Sequence, residues 1–248
     1  MTSFAQPIVI RCPGCQSHLH KRRLASFNDF GAKGWSDGYS SIWALEQVPG
    51  LGRCPQCGRV FWTADAEELG VLPKEAEPIG SFSRFYYRIF GDNDGRLERE
   101  RIWNATPAEW KSAKTVERPD LDGFHLALKD ETSLNPEREA LLRRGIWHEG
   151  NDHLRLNMKG QPFRDTPCLS AVAVQANLEA FLVLIDEGVH AFPTERGEIL
   201  RQLGRFDEAI AALKMVEGKL KAQAELMIEF AKSGDSVVRE VWRSEFDY

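Results

Sequence analysis

Two C-P-x-C stretches constrain this chain more than any other feature. Cys12 and Cys15 lie in "IRCPGCQ", and Cys54 and Cys57 lie in "GRCPQCGRVFW". Two residues between cysteines allow one tight turn to present both sulfurs to the same ion, and the Pro and Gly keep that turn compact. Two matched pairs therefore predict a single four-sulfur metal site. A thioredoxin-type redox pair would need one such motif in a strand-helix-strand setting, which is absent. His18 and His20 in "CQSHLHKRR" are substitute ligands, but with four thiols available they read as surface groups. "PIVI" before the first pair and "RVFW" after the second predict short strands flanking the turns.

Four thiolates in a tetrahedron suit zinc, and a closed set of four leaves no position for substrate or water. Residues 1–75 thus resemble a zinc ribbon, with Cys12, Cys15, Cys54 and Cys57 as the ligands that the resemblance implies. An iron site of rubredoxin type uses similar knuckles. The gap between the pairs is longer than in compact ribbons, so the middle must loop out. That insert, "NDFGAKGWSDGYSSIWALEQVPGLG", carries Phe30, Trp35, Tyr39 and Trp43, more aromatics than a disordered linker holds. It predicts an ordered loop packed on the metal core.

"VLPKEAEPIG" is a Pro-rich boundary, after which residues 76–248 take a helical pattern. Phe82, Phe85, Tyr86, Ile89 and Phe90 recur at helical spacing. Thr106, Asn135 and Thr166 each stand before a proline as helix caps, and Gly188, Gly204, Gly218 and Gly234 read as stops. No good strand follows Thr106. "ERGEILRQLGRFDEAIAALKMV" resembles a tetratricopeptide repeat. Gly197 and Leu200 match the first helix, Gly204 the turn, and Ala209 and Leu213 the second helix. Pro193, Arg196 and Lys221 depart from the pattern, and the next unit, with its turn at Gly234, follows at thirty residues rather than the usual thirty-four. The expected fold is α+β: a small β zinc ribbon followed by a mainly α-helical, tetratricopeptide-like antiparallel body from about residue 191. Such repeats bind peptides or partner proteins on a concave face.

Within "EALLRRGIWHEGNDHLRLN", Arg143, Trp147, Asn151 and Arg155 recur every four residues and so share one side. The stripe reads first as internal hydrogen bonding and packing; the alternative is that, together with Trp35, it forms a candidate binding surface. Through Trp62 there are seven Lys/Arg against three acids, a net +4, which leaves −9 for the remainder of a chain of net −5. The opposite charges and the insert's aromatics predict that the head docks on the body. The basic run "HLHKRR" permits nucleic-acid binding, the rival to a zinc-binding adaptor for a protein partner. No His-Glu-x-x-His, phosphate loop or nucleophile elbow marks an enzyme, and the Ser and Asp of "GWSDG" have no His near them in sequence. Asp92 and Asp94 in "GDNDG" lack the remaining ligands of a calcium loop, and Cys168 reads as a small buried hydrophobe rather than a nucleophile. No secretory signal and no apolar run of about 18 residues is present, so the expectation is a soluble cytoplasmic protein without membrane contact.

Overall fold

The computed structural model describes residues 2–29, 31–42, 48–90, 95–156, 160–163 and 169–243; for Arg88 and Phe90 only the backbone is described. In chain order the strands are β1 Ser3–Arg11, β2 His18–Ser26, β3 Lys33–Trp35, β4 Leu51–Arg53, β5 Val60–Trp62, β6 Glu68–Val71, β7 Lys114–Thr115 and β8 Glu240–Arg243. The helices are α1 Ser81–Phe90, α2 Arg96–Ala105, α3 Ala108–Lys111, α4 Leu121–Leu128, α5 Pro136–Asn151, α6 Ala171–Asp186, α7 Glu195–Gln202, α8 Phe206–Leu213 and α9 Lys221–Lys232. Single 3-10 turns lie at Asp152–Leu154 and Gly218–Leu220. Among the described residues, no helix is long and apolar enough to cross a membrane.

The chain divides into two compact units, Met1–Phe27 with Gly50–Arg118, and Asn28–Pro49 with Pro119–Tyr248. This partition differs from the expected break between residues 75 and 76 in two ways. The segment after the Pro-rich stretch, through Arg118, belongs with the cysteine pairs. There β7 pairs in parallel with β2, and Arg53 and Glu117 exchange backbone hydrogen bonds of 2.9 and 3.0 Å. Conversely, the insert belongs to the helical unit, not to the metal core on which it was expected to pack.

In the first unit the sheet order is β6-β1-β2-β7, and β4 and β5 form a separate ribbon. The "PIVI" and "RVFW" strands fall within β1 and around β5. β2 was not foreseen, because its basic run hides an alternation in which buried Leu19 faces the core. Ile10, Leu19, Phe61 and Ala66 close around Cys12 and Cys54. Gly52 lies where a Cβ would come within 2.2 Å of Val116, so the ribbon and the strand-side segment can meet only through a glycine.

The second unit is built on helices that pack as sequence neighbours, α4 on α5, α5 on α6, α7 on α8 and α8 on α9. Its caps follow the local code. Asp120, Asn135 and Ser170 accept hydrogen bonds from the backbone N–H of Gly123, Arg138 and Ala173 at the starts of α4, α5 and α6. Asn135 caps as expected. Thr106 does not: it closes α2, its hydroxyl donating to the Ile102 carbonyl. Thr166 lies outside the described residues. Gly188, Gly204 and Gly234 end α6, α7 and α9 with φ of 97°, 74° and 72°. Gly218 instead opens the 3-10 turn before α9. The core holds Trp147, Leu178, Phe181, Ile199, Leu200 and Ala209. In the α7–α8 hairpin, a Cβ on Gly197 would sit 2.5 Å from Leu213 Cγ, so that glycine sets how closely the helices approach.

Two expectations for this region are corrected. A strand does follow Thr106: β8 pairs antiparallel with β3 of the insert, Gly34 opposite Trp242. The segment expected to form a second repeat is therefore helical only through α9. Its continuation is extended because Arg201 takes the carbonyls of Asp235 and Val237, and Ser36 bonds both the N–H and C=O of Arg239. Backbone groups committed to partners far along the chain are not available to a helix.

Candidate metal centre and a buried polar cluster

Each cysteine pair occupies the turn of a β-hairpin. The first turn joins β1 to β2, where Arg11 pairs with His18; the second joins β4 to β5, where Arg53 pairs with Val60. The two turns repeat the same hydrogen bonds. Cys12 N–H donates to the Ser17 carbonyl and Cys54 N–H to the Arg59 carbonyl, both at 2.9 Å. Gln16 and Gly58 N–H return to the carbonyls of Cys12 and Cys54 at 3.0 and 2.9 Å. Gln16 (φ 62°) is the one non-glycine residue of positive φ among those described, and it stands where the second turn has Gly58 (φ 73°). The turn demands a left-handed residue at that point, and in the first turn a glutamine supplies it.

The result is convergence. All four Sγ atoms lie within 4.8 Å of one another. Cys12 and Cys57 Sγ are 3.8 Å apart, and Cys15 and Cys54 Sγ are 3.7 Å apart. A tetrahedral ion with metal–sulfur bonds near 2.3 Å requires sulfur–sulfur separations of about 3.8 Å, so the donor set fits one ion of that kind. Gly14 N–H and Gln56 N–H each point at the sulfur two residues earlier, at 3.4 Å, the contacts that stabilise charge on a thiolate. Cys12 and Cys54 are buried, while Cys15 and Cys57 face outward. In the metal-free chain burial pushes the Cys12 thiol up to about 12. The Ser17 hydroxyl, 3.0 Å from the Cys15 sulfur, leads the contacts that bring that thiol down to about 6. The set is all sulfur. His20 Nε2 lies 2.7 Å from the Trp110 carbonyl, and neither His20 nor His18 joins the cluster.

The residues weighed between internal packing and a binding surface lie away from the cysteines and mostly inside. Trp147 (2 % exposed), Asn151 (5 %), Arg155 (0 %) and Trp35 (4 %) are buried in the second unit. Arg143 is partly exposed, with Nε 2.7 Å from Glu139 Oε1. Only Arg143, Trp147 and Asn151 share a face of α5; Arg155 lies beyond the 3-10 turn that ends it. The reason for burying so much polarity is Asp37. Its fully buried carboxylate pairs with Arg155 and accepts from Asn151 Nδ2 at 2.8 Å. Arg155 also donates to the His148 carbonyl at 2.6 Å and Asp152 Oδ1 at 2.7 Å, with its guanidinium 4.2 Å from the Tyr39 ring centre. Beside it, Ser36 donates to Glu198 Oε1 at 2.6 Å, and Glu198 pairs with the buried Arg201 at 2.6 Å.

Burial opposes ionisation of Asp37, but Arg155 and His148 outweigh it and the net shift is downward. For Glu198 burial wins over Arg201 and the shift is upward. Burial drives His148 down to about 4 despite Asp37. Its Nε2 therefore donates to the Asp37 carbonyl at 3.0 Å as a neutral imidazole. Ser36 is engaged by Glu198, not by a histidine, so "GWSDG" does not supply a nucleophile pair. Sequence reasoning missed Asp37, His148, Glu198 and Arg201 as one cluster. The available signal was the Gly-flanked Ser36-Asp37 dipeptide among aromatics. Trp43, Asp92, Asp94 and Cys168 lie outside the described residues.

Compared with models of known protein families, with curated proteins and with solved structures, the chain matches none.

Proposed function

We propose that Cys12, Cys15, Cys54 and Cys57 hold one structural zinc ion and that the chain is a binding or adaptor protein rather than an enzyme. The observation that carries the first part is the convergence of four sulfurs at tetrahedral spacing. A closed four-thiolate site offers no open coordination position, so the ion staples two hairpins and does no chemistry on a substrate. Its test is metal analysis of purified protein: near-stoichiometric zinc supports the reading, iron would replace the ion, and the absence of both would end it.

The adaptor reading draws support from α1. Phe82 (82 % exposed), Phe85 (63 %) and Ile89 (56 %), with half-exposed Tyr86 beside them, make an exposed apolar stripe at helical spacing, the kind of face an amphipathic helix lays into a partner's groove. The tetratricopeptide-like reading of α7–α8 draws on Gly197, Ala209 and Leu213 at their contact, although these helices run only eight residues each. The rival, a nucleic-acid contact through β2, has Arg22 and Arg23 exposed, but Lys21 and Arg11 are matched with Glu68 and Glu67 at 3.3 and 3.4 Å. An affinity pull-down from native cells, repeated with Phe82→Ser and Phe85→Ser together, tests the adaptor. A protein captured by wild type and lost with the double variant is expected. Salt-sensitive gel shifts of nucleic acid would favour the rival instead.

A further inference from the structure

A cavity of about 450 Å³ opens in the second unit, among α5, the 3-10 turn after it, α6, the end of α7 and residues 236–237. Its size suits a small organic molecule. Among the described lining residues none is Asp, Glu, Lys or Arg; Leu154, Val174, Leu178 and Leu203 supply apolar walls, and His153, Gln175 and Ser236 add polar groups. An ion there would find no carboxylate, ammonium or guanidinium among the described lining residues to offset its desolvation, which costs several kcal/mol, and this favours an uncharged occupant.

Three amides line the cavity, Asn151, Gln175 and Gln202, and surrounding groups fix which way Asn151 and Gln202 point. Asn151 Nδ2 faces Asp37 Oδ2 at 2.8 Å and Gln202 Oε1 at 3.5 Å; a carboxylate accepts only, so this atom must be the nitrogen. Gln202 Oε1 takes the indole N–H of Trp147 at 2.9 Å, and its Nε2 gives a proton to Glu198 Oε1 at 2.8 Å. Both Asn151 protons are spent, and its Oδ1 accepts no bond among the described residues, although the residue is only 5 % exposed. Gln202 keeps one N–H in hand. The pair offers an acceptor beside a donor, with the apolar side chains of Leu154, Val174, Leu178 and Leu203 in the same lining, and the ion pairs behind hold that edge rigid.

We propose that this cavity binds an uncharged small molecule with an apolar body and a carboxamide or lactam edge. The ligand's N–H donates to Asn151 Oδ1 and its C=O accepts from Gln202 Nε2. The metal site plays no part.

Benzamide is the probe, with benzoate as its charged isostere, titrated into the full chain and followed by nitrogen–proton correlation spectra. Benzamide should shift the side-chain amides of Asn151 and Gln202 and the Trp147 indole signal saturably in the millimolar range, typical of a fragment, while benzoate does not. Val174→Trp, which fills the cavity, should weaken benzamide at least about tenfold; Val172→Trp, on the exposed side of α6, should leave it unchanged. Absence of saturable shifts from benzamide, equal shifts from benzoate, or an unaltered response in a folded Val174→Trp chain would each overturn the proposal. The comparison of benzamide with benzoate needs no variant and decides the matter even if Val174→Trp fails to fold.

Discussion

Asp37→Ala should destabilise the second unit far more than loss of one loop side chain suggests. Asp37 and Arg155 are both fully buried, and removing the carboxylate leaves the guanidinium, among the described residues, with Asp152 Oδ1, the His148 carbonyl and two aromatic rings. Stranding one member of a buried pair costs about 3–5 kcal/mol, whereas replacing both by apolar groups is often close to neutral. For a unit of this size each kcal/mol moves the melting temperature by about 2–4 °C, so Asp37→Ala should lower it by roughly 6–20 °C. Arg155→Met alone should cost a similar amount by stranding Asp37 beside Asn151. The double variant should cost well under the sum, because neither charge is then left buried. Urea unfolding monitored by helical circular dichroism and by tryptophan fluorescence measures all four corners of that cycle. A single-variant cost below about 1 kcal/mol, or strict additivity in the double variant, would refute the reading of Asp37 as the insert's anchor.

His148 sets an acid limit on the same cluster. Burial, helped by Arg155 and Arg144 and opposed by Asp37, brings its folded pKa down to about 4 from an ordinary 6.5. The unfolded chain therefore binds the extra proton first, and stability falls by about 3 kcal/mol as pH drops from 6.5 to 4. His148→Gln should flatten that slope in denaturant titrations at several pH values. Asp37, with its lowered pKa, contributes stability above the ordinary carboxylate range that is lost only at still lower pH. Cys54→Ser, or a strong chelator, should abolish hydrogen-exchange protection at Ile10 and Leu19 while the amides of α5 to α9 stay protected, because metal binding and folding are coupled locally. Gly197→Ala places a methyl 2.5 Å from Leu213 Cγ. The overpacking, about 1–3 kcal/mol, should exceed the roughly 1 kcal/mol gained in helix propensity, and Leu213→Val in the same chain should relieve part of the loss in urea melts.

The metal site was legible because its information is local. Spacing of two residues, a proline and a tight turn place two sulfurs on one side of a hairpin wherever that hairpin sits, and doubling the motif identifies the four ligands. The caps at Asn135 and the stops at Gly188, Gly204 and Gly234 were legible for the same reason: a side-chain oxygen or a left-handed residue acts within one helical turn. The close contact of Gly197 with Leu213 could be anticipated from small and large residues at helix-pair spacing.

The tertiary structure alone decided where the insert belongs. Its aromatics announced an ordered segment, but composition does not say which surface receives it. That depends on Asp37 meeting Arg155, 118 residues away, on β3 finding β8, and on Val48 fitting against Gly145, none of which leaves a periodic trace in the sequence. For the same reason the sequence left the stripe from Arg143 to Arg155 open between internal packing and a surface. A polar side chain reads as solvent-facing until its partner is known, and a buried ion pair is recognised only when both halves are seen together. Short-range geometry is written residue by residue, whereas burial is a property of the pair, and the pair exists only once the chain has folded.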